Sequence, residues 1–107
     1  MSRERARSNR SRDLDFKLYV AGSGARSLRT IDSVKRACEK HVPGRYHLSI
    51  VDIYLQPEAA TEAQIIAVPT LVRQRPAPVR MYVGEIPAPS ALDAQLAGLA
   101  RIVQTQP

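Results

Sequence analysis

The sequence predicts an α/β fold of order βαβαββα, one mixed four-stranded sheet with helices packed on it. Three observations carry this expectation. Short runs rich in β-branched, leucine and aromatic residues recur at 16–21, 46–53, 70–73 and 79–83. Between the first two lies a stretch whose apolar residues fall three and four apart, the period of a helix. The chain then closes on an alanine- and leucine-rich stretch with the same period.

Each element has its own signal. Residues 1–14 are polar and without period, so a disordered basic tail is expected there, with the folded domain over 15–105. Phe16, Leu18, Tyr19 and Val20 form the first strand, which stops at Ala21-Gly22. Ser27 is placed as the cap of the first helix. Leu28, Ile31, Val34 and Cys38 would give that helix one apolar face, and Pro43-Gly44 ends it. Residues 46–53 alternate and then run apolar through Ile50, Val51 and Ile53, the pattern of a strand that is central at its far end. Pro57 opens a short second helix. Thr70-Leu71-Val72-Arg73 and Val79-Arg80-Met81-Tyr82-Val83 are the last strands, and Pro76 and Pro78 make the link between them a turn. Ser90 and Asp93 cap a final helix over 90–104. Strands joined by a helical crossover are parallel, and the last two strands are close enough to pair antiparallel.

With 107 residues the chain fits one domain. No apolar run reaches the roughly 20 residues of a membrane-spanning helix. One cysteine, Cys38, allows no internal disulfide, and a cytoplasmic location is expected. Residues 1–13 hold five arginines against Glu4 and Asp13, a net +3, which is half of the formal +6. Such a tail suits weak contact with nucleic acid or acidic surfaces. Five aromatic residues, mostly in strands, make a base-stacking platform scarce.

Four segments stand in fixed order: Phe16-Lys17-Leu18-Tyr19-Val20-Ala21-Gly22, Val51-Asp52-Ile53, Ala67-Val68-Pro69-Thr70-Leu71, and Pro76-Ala77-Pro78-Val79-Arg80 followed by Gly84. Their order and spacing resemble the KaiB family of the cyanobacterial circadian clock, from about Phe16 to Glu85. The resemblance implies a thioredoxin-like fold and a non-enzymatic partner protein. Its partner would be a KaiC-like ATPase, a RecA-like hexamer, with other clock or signalling proteins recruited or displaced. It also implies fold switching between a thioredoxin-like monomer that binds the partner and a tetramer with a different C-terminal half. A dimer is the further oligomer a small sheet allows. On this likeness Val68, Pro69, Pro76, Pro78, Gly84 and Glu85 form the fold-switch or cis-proline segment, with a cis bond at Val68-Pro69. Several positions depart from the family pattern. Ala77 breaks the proline run, Met81 stands where a second arginine is usual, and Glu85-Ile86-Pro87 replaces the usual Asp-Leu-Ser. Pro87 and Pro89 are poor strand residues and 90–104 has helical period, so the thioredoxin-like state is expected to dominate.

The chemistry-bearing residues support binding more than catalysis. Where a thioredoxin carries its cysteine pair this chain reads Ser23-Gly24-Ala25-Arg26-Ser27. Cys38 lies near the end of its helix, where the dipole has the wrong sign to favour a thiolate. No histidine is placed to activate Ser23 or Ser27, and His41 and His47 lack a metal-site pattern. Asp15 and Asp52 would have to meet near the strands to act as paired carboxylates. No catalytic set, cofactor or metal is expected. The expected partner-binding residues are Arg26, Arg29, Arg73 and Arg80, with Arg75 nearby, since the planar guanidinium favours interfaces. Arg29 and Arg80 match basic positions of the family. The alternative reading is a thioredoxin-like redox or glutathione-dependent enzyme that lacks the CxxC pair.

Overall fold

A computed structural model describes residues 14–84 and 96–98. The elements run β1 Leu14–Val20, α1 Ala25–His41, β2 Tyr46–Asp52, α2 Pro57–Glu62, β3 Thr70–Arg75 and β4 Arg80–Val83. Leu96–Gly98 are helical. The remaining expectations for 90–104, and those for residues 1–13 and Glu85, fall outside the described residues.

The four strands form one sheet in the order β2-β1-β3-β4. β1 and β2 are parallel, with Leu14 opposite Tyr46 and Val20 opposite Asp52. β3 is antiparallel to β1, and β4 is antiparallel to β3. β1 is central and buries side chains on both faces, one wholly apolar and the other holding Tyr19 beside the half-buried Asp15 and Lys17. Leu14, Phe16, Leu18 and Val20 point to one side, where Val34, Ala37, Cys38, Val42, Leu71 and Leu96 complete the main core. Tyr19 points to the other side and packs with Val51 and Val72 beneath Ala59, Ala63 and Ile65. Full burial of each large side chain contributes roughly 1.5–3 kcal/mol, so this strand supplies much of the core.

Three sequence expectations change. Leu14, expected in the tail, belongs to β1: it is fully buried and its N–H donates to Arg45 O at 3.0 Å. β2 is an edge strand, not a central one, and Ile50 is exposed. Its apolar run arises because one side of the strand packs under α2, not because neighbours flank it on both edges. The inward face of α1 is Ser27, Val34, Ala37 and Cys38, whereas Leu28 is exposed. The helix starts at Ala25 with Gly24 as N-cap, so Ser27 is inside the first turn. Its Oγ donates to Ala21 O at 3.1 Å and stitches the helix to the end of β1.

The place of Leu14 is open to test by urea denaturation. Leu14→Ala should cost about 2–5 kcal/mol of stability, as for other buried leucines. A loss below about 0.5 kcal/mol would place it in the tail instead.

Candidate functional site

The C-terminal ends of β1 and β2, the start of α1 and the loop before β3 converge at one end of the sheet. Asp52, the last residue of β2, organises this end. Its Oδ1 accepts from Gly22 N at 2.8 Å and from Tyr54 N at 2.9 Å. Its carbonyl oxygen accepts from Leu55 N and Gln56 N. One residue therefore turns the chain out of β2 and holds the β1–α1 loop against that turn. Gly22 has φ of +80°, a conformation that side-chain-bearing residues rarely adopt. A Cβ there would also lie 3.3 Å from the Tyr54 ring, so the loop and the ring fit only with glycine.

On the opposite wall the Val68–Pro69 peptide bond is cis. Thr70 Oγ1 donates to Ala67 O at 2.6 Å, and Gly84 N donates to Pro69 O at 2.9 Å. Between the walls lies a cleft of about 460 Å³, lined by Val20, Ala21, Gly24, Arg26, Ser27, Thr30, Tyr54, Val68 and Pro69. That is within the size range of small-ligand sites. No side chain caps the first turn of α1 and no acidic residue lies in it, so its positive end meets the cleft beside Arg26. Tyr54, Leu55 and Ile66 are exposed at this end and give it an apolar rim.

The expected partner-binding arginines lie in different parts of the domain. Arg26 borders the cleft and Arg29 is exposed on the next turn of α1. Arg80 is exposed at the start of β4, three residues from the Val83 that pairs with Thr70, and so lies away from the cleft end. Arg73 is corrected outright: it is buried, and its Nη2 donates to Pro78 O at 3.0 Å. It braces the β3–β4 turn, where Arg75–Pro76 and Ala77–Pro78 are both cis, and its Nε has no hydrogen-bond partner. Arg75 is drawn to Asp15, with Nε 3.8 Å from Oδ2. Asp15 and Asp52 stand at opposite ends of the β1–β2 pair, so no carboxylate dyad forms. Ser27 is committed to Ala21 O, and among the described residues no group of acidic, histidine or cysteine side chains could hold a metal ion. No helix among the described residues is long and apolar enough to cross a membrane.

Cys38 is buried on the far part of α1. Burial pushes its thiol up to about 12, with the neighbouring Glu39 carboxylate adding to the effect. Beside it Tyr46 OH donates to Glu39 Oε2 at 2.6 Å. Burial, the hydrogen bond to Glu39 and the Glu39 charge push the Tyr46 phenol up to about 12 as well. These shifts make the thiol inert, not nucleophilic.

Sequence reasoning missed Tyr54 and Asp52 as parts of this end. Asp52 was visible as an acid at the end of a strand, but its partners lie 30 residues back and two ahead. The described elements form a thioredoxin-like scaffold that carries Arg26 in the first turn of α1. The KaiB domain matches residues 17–96, and the chain belongs to the KaiB family. It is 40% identical over 71 residues to a circadian clock oscillator protein KaiB of Prochlorococcus marinus subsp. pastoris. That match covers 66% of this chain and 66% of the relative, so about a third of the relative's length lies outside it. It is 33% identical over 71 residues to the circadian clock protein KaiB3 of a Synechocystis strain, covering 66% of this chain and 70% of that one. The N-terminal domain of Synechococcus elongatus SasA superposes with TM-score 0.65 at 21% identity, covering 88% of this chain and 86% of the other. Chloroplastic thioredoxin z superposes with TM-score 0.64 at 18% identity, covering 98% and 89%.

Three outcomes check these assignments. Asp52→Ala leaves the Gly22 and Tyr54 amides without their acceptor and should lower stability by about 1–3 kcal/mol in urea melts. Cys38 should react with a disulfide reagent at pH 8 only as fast as the protein opens. The folded protein keeps the thiol proton to about pH 12, whereas the unfolded thiol releases it near its ordinary value of 9.0. Stability contributed by the protonated thiol is therefore present below pH 9 and lost as pH rises toward 12. A Cys38→Ala variant should show a flatter stability profile across that window.

Proposed function

We propose that this chain is a non-enzymatic adaptor that docks on a KaiC-type, RecA-like ATPase ring in the cytoplasm. Through that ring it would alter circadian, stress or signalling output. Membership of the KaiB family carries the reading, because its relatives bear clock-protein names. The likeness to the SasA N-terminal domain, at 21% identity, speaks for the fold. The cleft end is the docking surface the geometry favours. It joins two exposed arginines, Arg26 and Arg29, to an apolar rim of Tyr54, Leu55 and Ile66. Apolar anchors flanked by arginine are the usual make-up of strong interface contacts. The redox alternative loses ground because the loop holds serine, glycine and arginine and the one thiol is buried and inert.

Size-exclusion chromatography with light scattering tests the reading, using a KaiC-like hexamer from the same cell with ATP present. The expected result is co-migration with the ring. Arg26→Glu with Arg29→Glu should weaken it at least about tenfold, while Arg80→Glu, at the other end of the sheet, should change it less than about threefold. An intact ring that leaves this chain as a separate small species would overturn the proposal.

A further inference from the structure

The outer surface of α1 sorts its charges by sign. The inward face of the helix is Ser27, Val34, Ala37 and Cys38. At about 100° per residue, Arg26, Arg29, Ser33, Arg36 and Lys40 fall in one arc about 80° wide beside that face. All five are exposed, and they include four of the helix's five lysines and arginines. Both acids of the helix, Asp32 and Glu39, fall on the opposite flank with Leu28 and Lys35. Each acid is already engaged. Glu39 accepts from Tyr46 OH at 2.6 Å, and Asp32 pairs with Arg36 at 2.8 Å over the back of the helix. A helix that carries charge only for solvation alternates the two signs along one face. Here one flank holds cations, a serine and no acid.

We infer that this basic flank of α1 binds the phosphate backbone of a nucleic-acid duplex, without regard to sequence. Charge complementarity and spacing carry the inference. From Arg26 to Lys40 the helix rises about 21 Å. A duplex strand presents a phosphate about every 3.4 Å of its axis, so the row lies beside about six phosphates of one strand. Arginine and lysine are the usual donors to such oxygens, and the Ser33 hydroxyl is a further donor. The Arg36–Asp32 pair is exposed on both sides, so a phosphate replaces the carboxylate there at little cost.

The make-up of the arc narrows the occupant. It holds no aromatic ring on which an unpaired base could stack, which favours a duplex over a single strand. The exposed Leu28 is on the other flank, so the row has no apolar edge to enter a lipid surface or to anchor a protein interface. Contacts to the backbone alone carry no sequence information, so every duplex should bind alike. Arg26 and Arg29 also belong to the cleft end, so a duplex and an ATPase ring would compete for them. Arg36 and Lys40 lie about 10 Å or more further along the helix and serve the duplex alone. A dissociation constant of about 1–100 μM at physiological salt is expected for contacts of this kind.

Fluorescence anisotropy with the full chain and a labelled DNA duplex of about 20 base pairs tests the proposal. Four phosphate contacts predict about a hundredfold weaker binding at about 200 mM salt than at about 50 mM. Arg36→Gln with Lys40→Gln should weaken binding at least about tenfold at the lower salt and lower the logarithmic salt slope by about 2, with the fold unchanged by circular dichroism. The same pair of substitutions should leave binding to a KaiC-like ring within about threefold, which separates this proposal from the docking of the cleft end. Lys17→Gln with Lys35→Gln removes the same charge away from the row and should change duplex affinity less than about threefold. Equal losses from the two double variants would mean that net charge alone is read, and would overturn the proposal. So would a loss of binding seen only when Arg3, Arg5, Arg7, Arg10 and Arg12 are replaced by glutamine. Tighter binding to polyglutamate or to phosphatidylglycerol vesicles than to the duplex, or no binding to the duplex at the lower salt, would overturn it as well.

Discussion

A sheet covered on both sides needs a central strand that buries side chains on each face, and β1 does so although Asp15 and Lys17 share a face with Tyr19. Leu14, Phe16, Leu18 and Val20 serve the face under α1, while Tyr19 serves the face under α2. Once β1 is central, the right-handed crossover through α1 sets β2 beside it and parallel. β3 then takes the free side, and β4 follows as the outer strand through the turn that Arg73 braces. The two edges are consequences of the same choice. The cleft also follows, because the loops leaving β1 and β2 must emerge at the same end when the strands are parallel.

Asp52 converts that shared end into a defined shape. Without an acceptor, the Gly22 amide in its left-handed bend and the Tyr54 amide at the next turn would both need water. The carboxylate satisfies them together and holds Tyr54 against Gly22. This end holds an arginine, a tyrosine and an uncapped helix start.

The succession of strands and helices along the chain was legible in the sequence because periodicity and glycine or proline punctuation agree, whereas the edge position of β2 was not. In α1 the spacing placed Ile31, Val34 and Cys38 inward, as they are, but Leu28 lies one step off that stripe and Ser27 takes the inward place. Ser27 was misread as the cap because the helix starts earlier, after Gly24. Arg73 was misread for a different reason. An arginine in a strand reads as surface, and its burial depends on a carbonyl that only the folded turn brings near. The site was legible in part: Arg26 and Pro69 were visible as flanking residues, but Tyr54 enters through tertiary placement alone. Arg80 shows the limit of grouping residues by type, since its register assigns it to the other end of a short strand.

The anchorage of Leu14 has a mechanical meaning for the cleft. β1 runs Leu14–Val20, about 20 Å, with its last residue at the cleft. At the far end the Leu14 N–H donates to Arg45 O, and at the cleft end Val20 O accepts from the Ile53 N–H. The central strand is thereby bolted at both ends to the chain that enters and leaves β2, and the loops leaving β1 and β2 hang from one rigid rod.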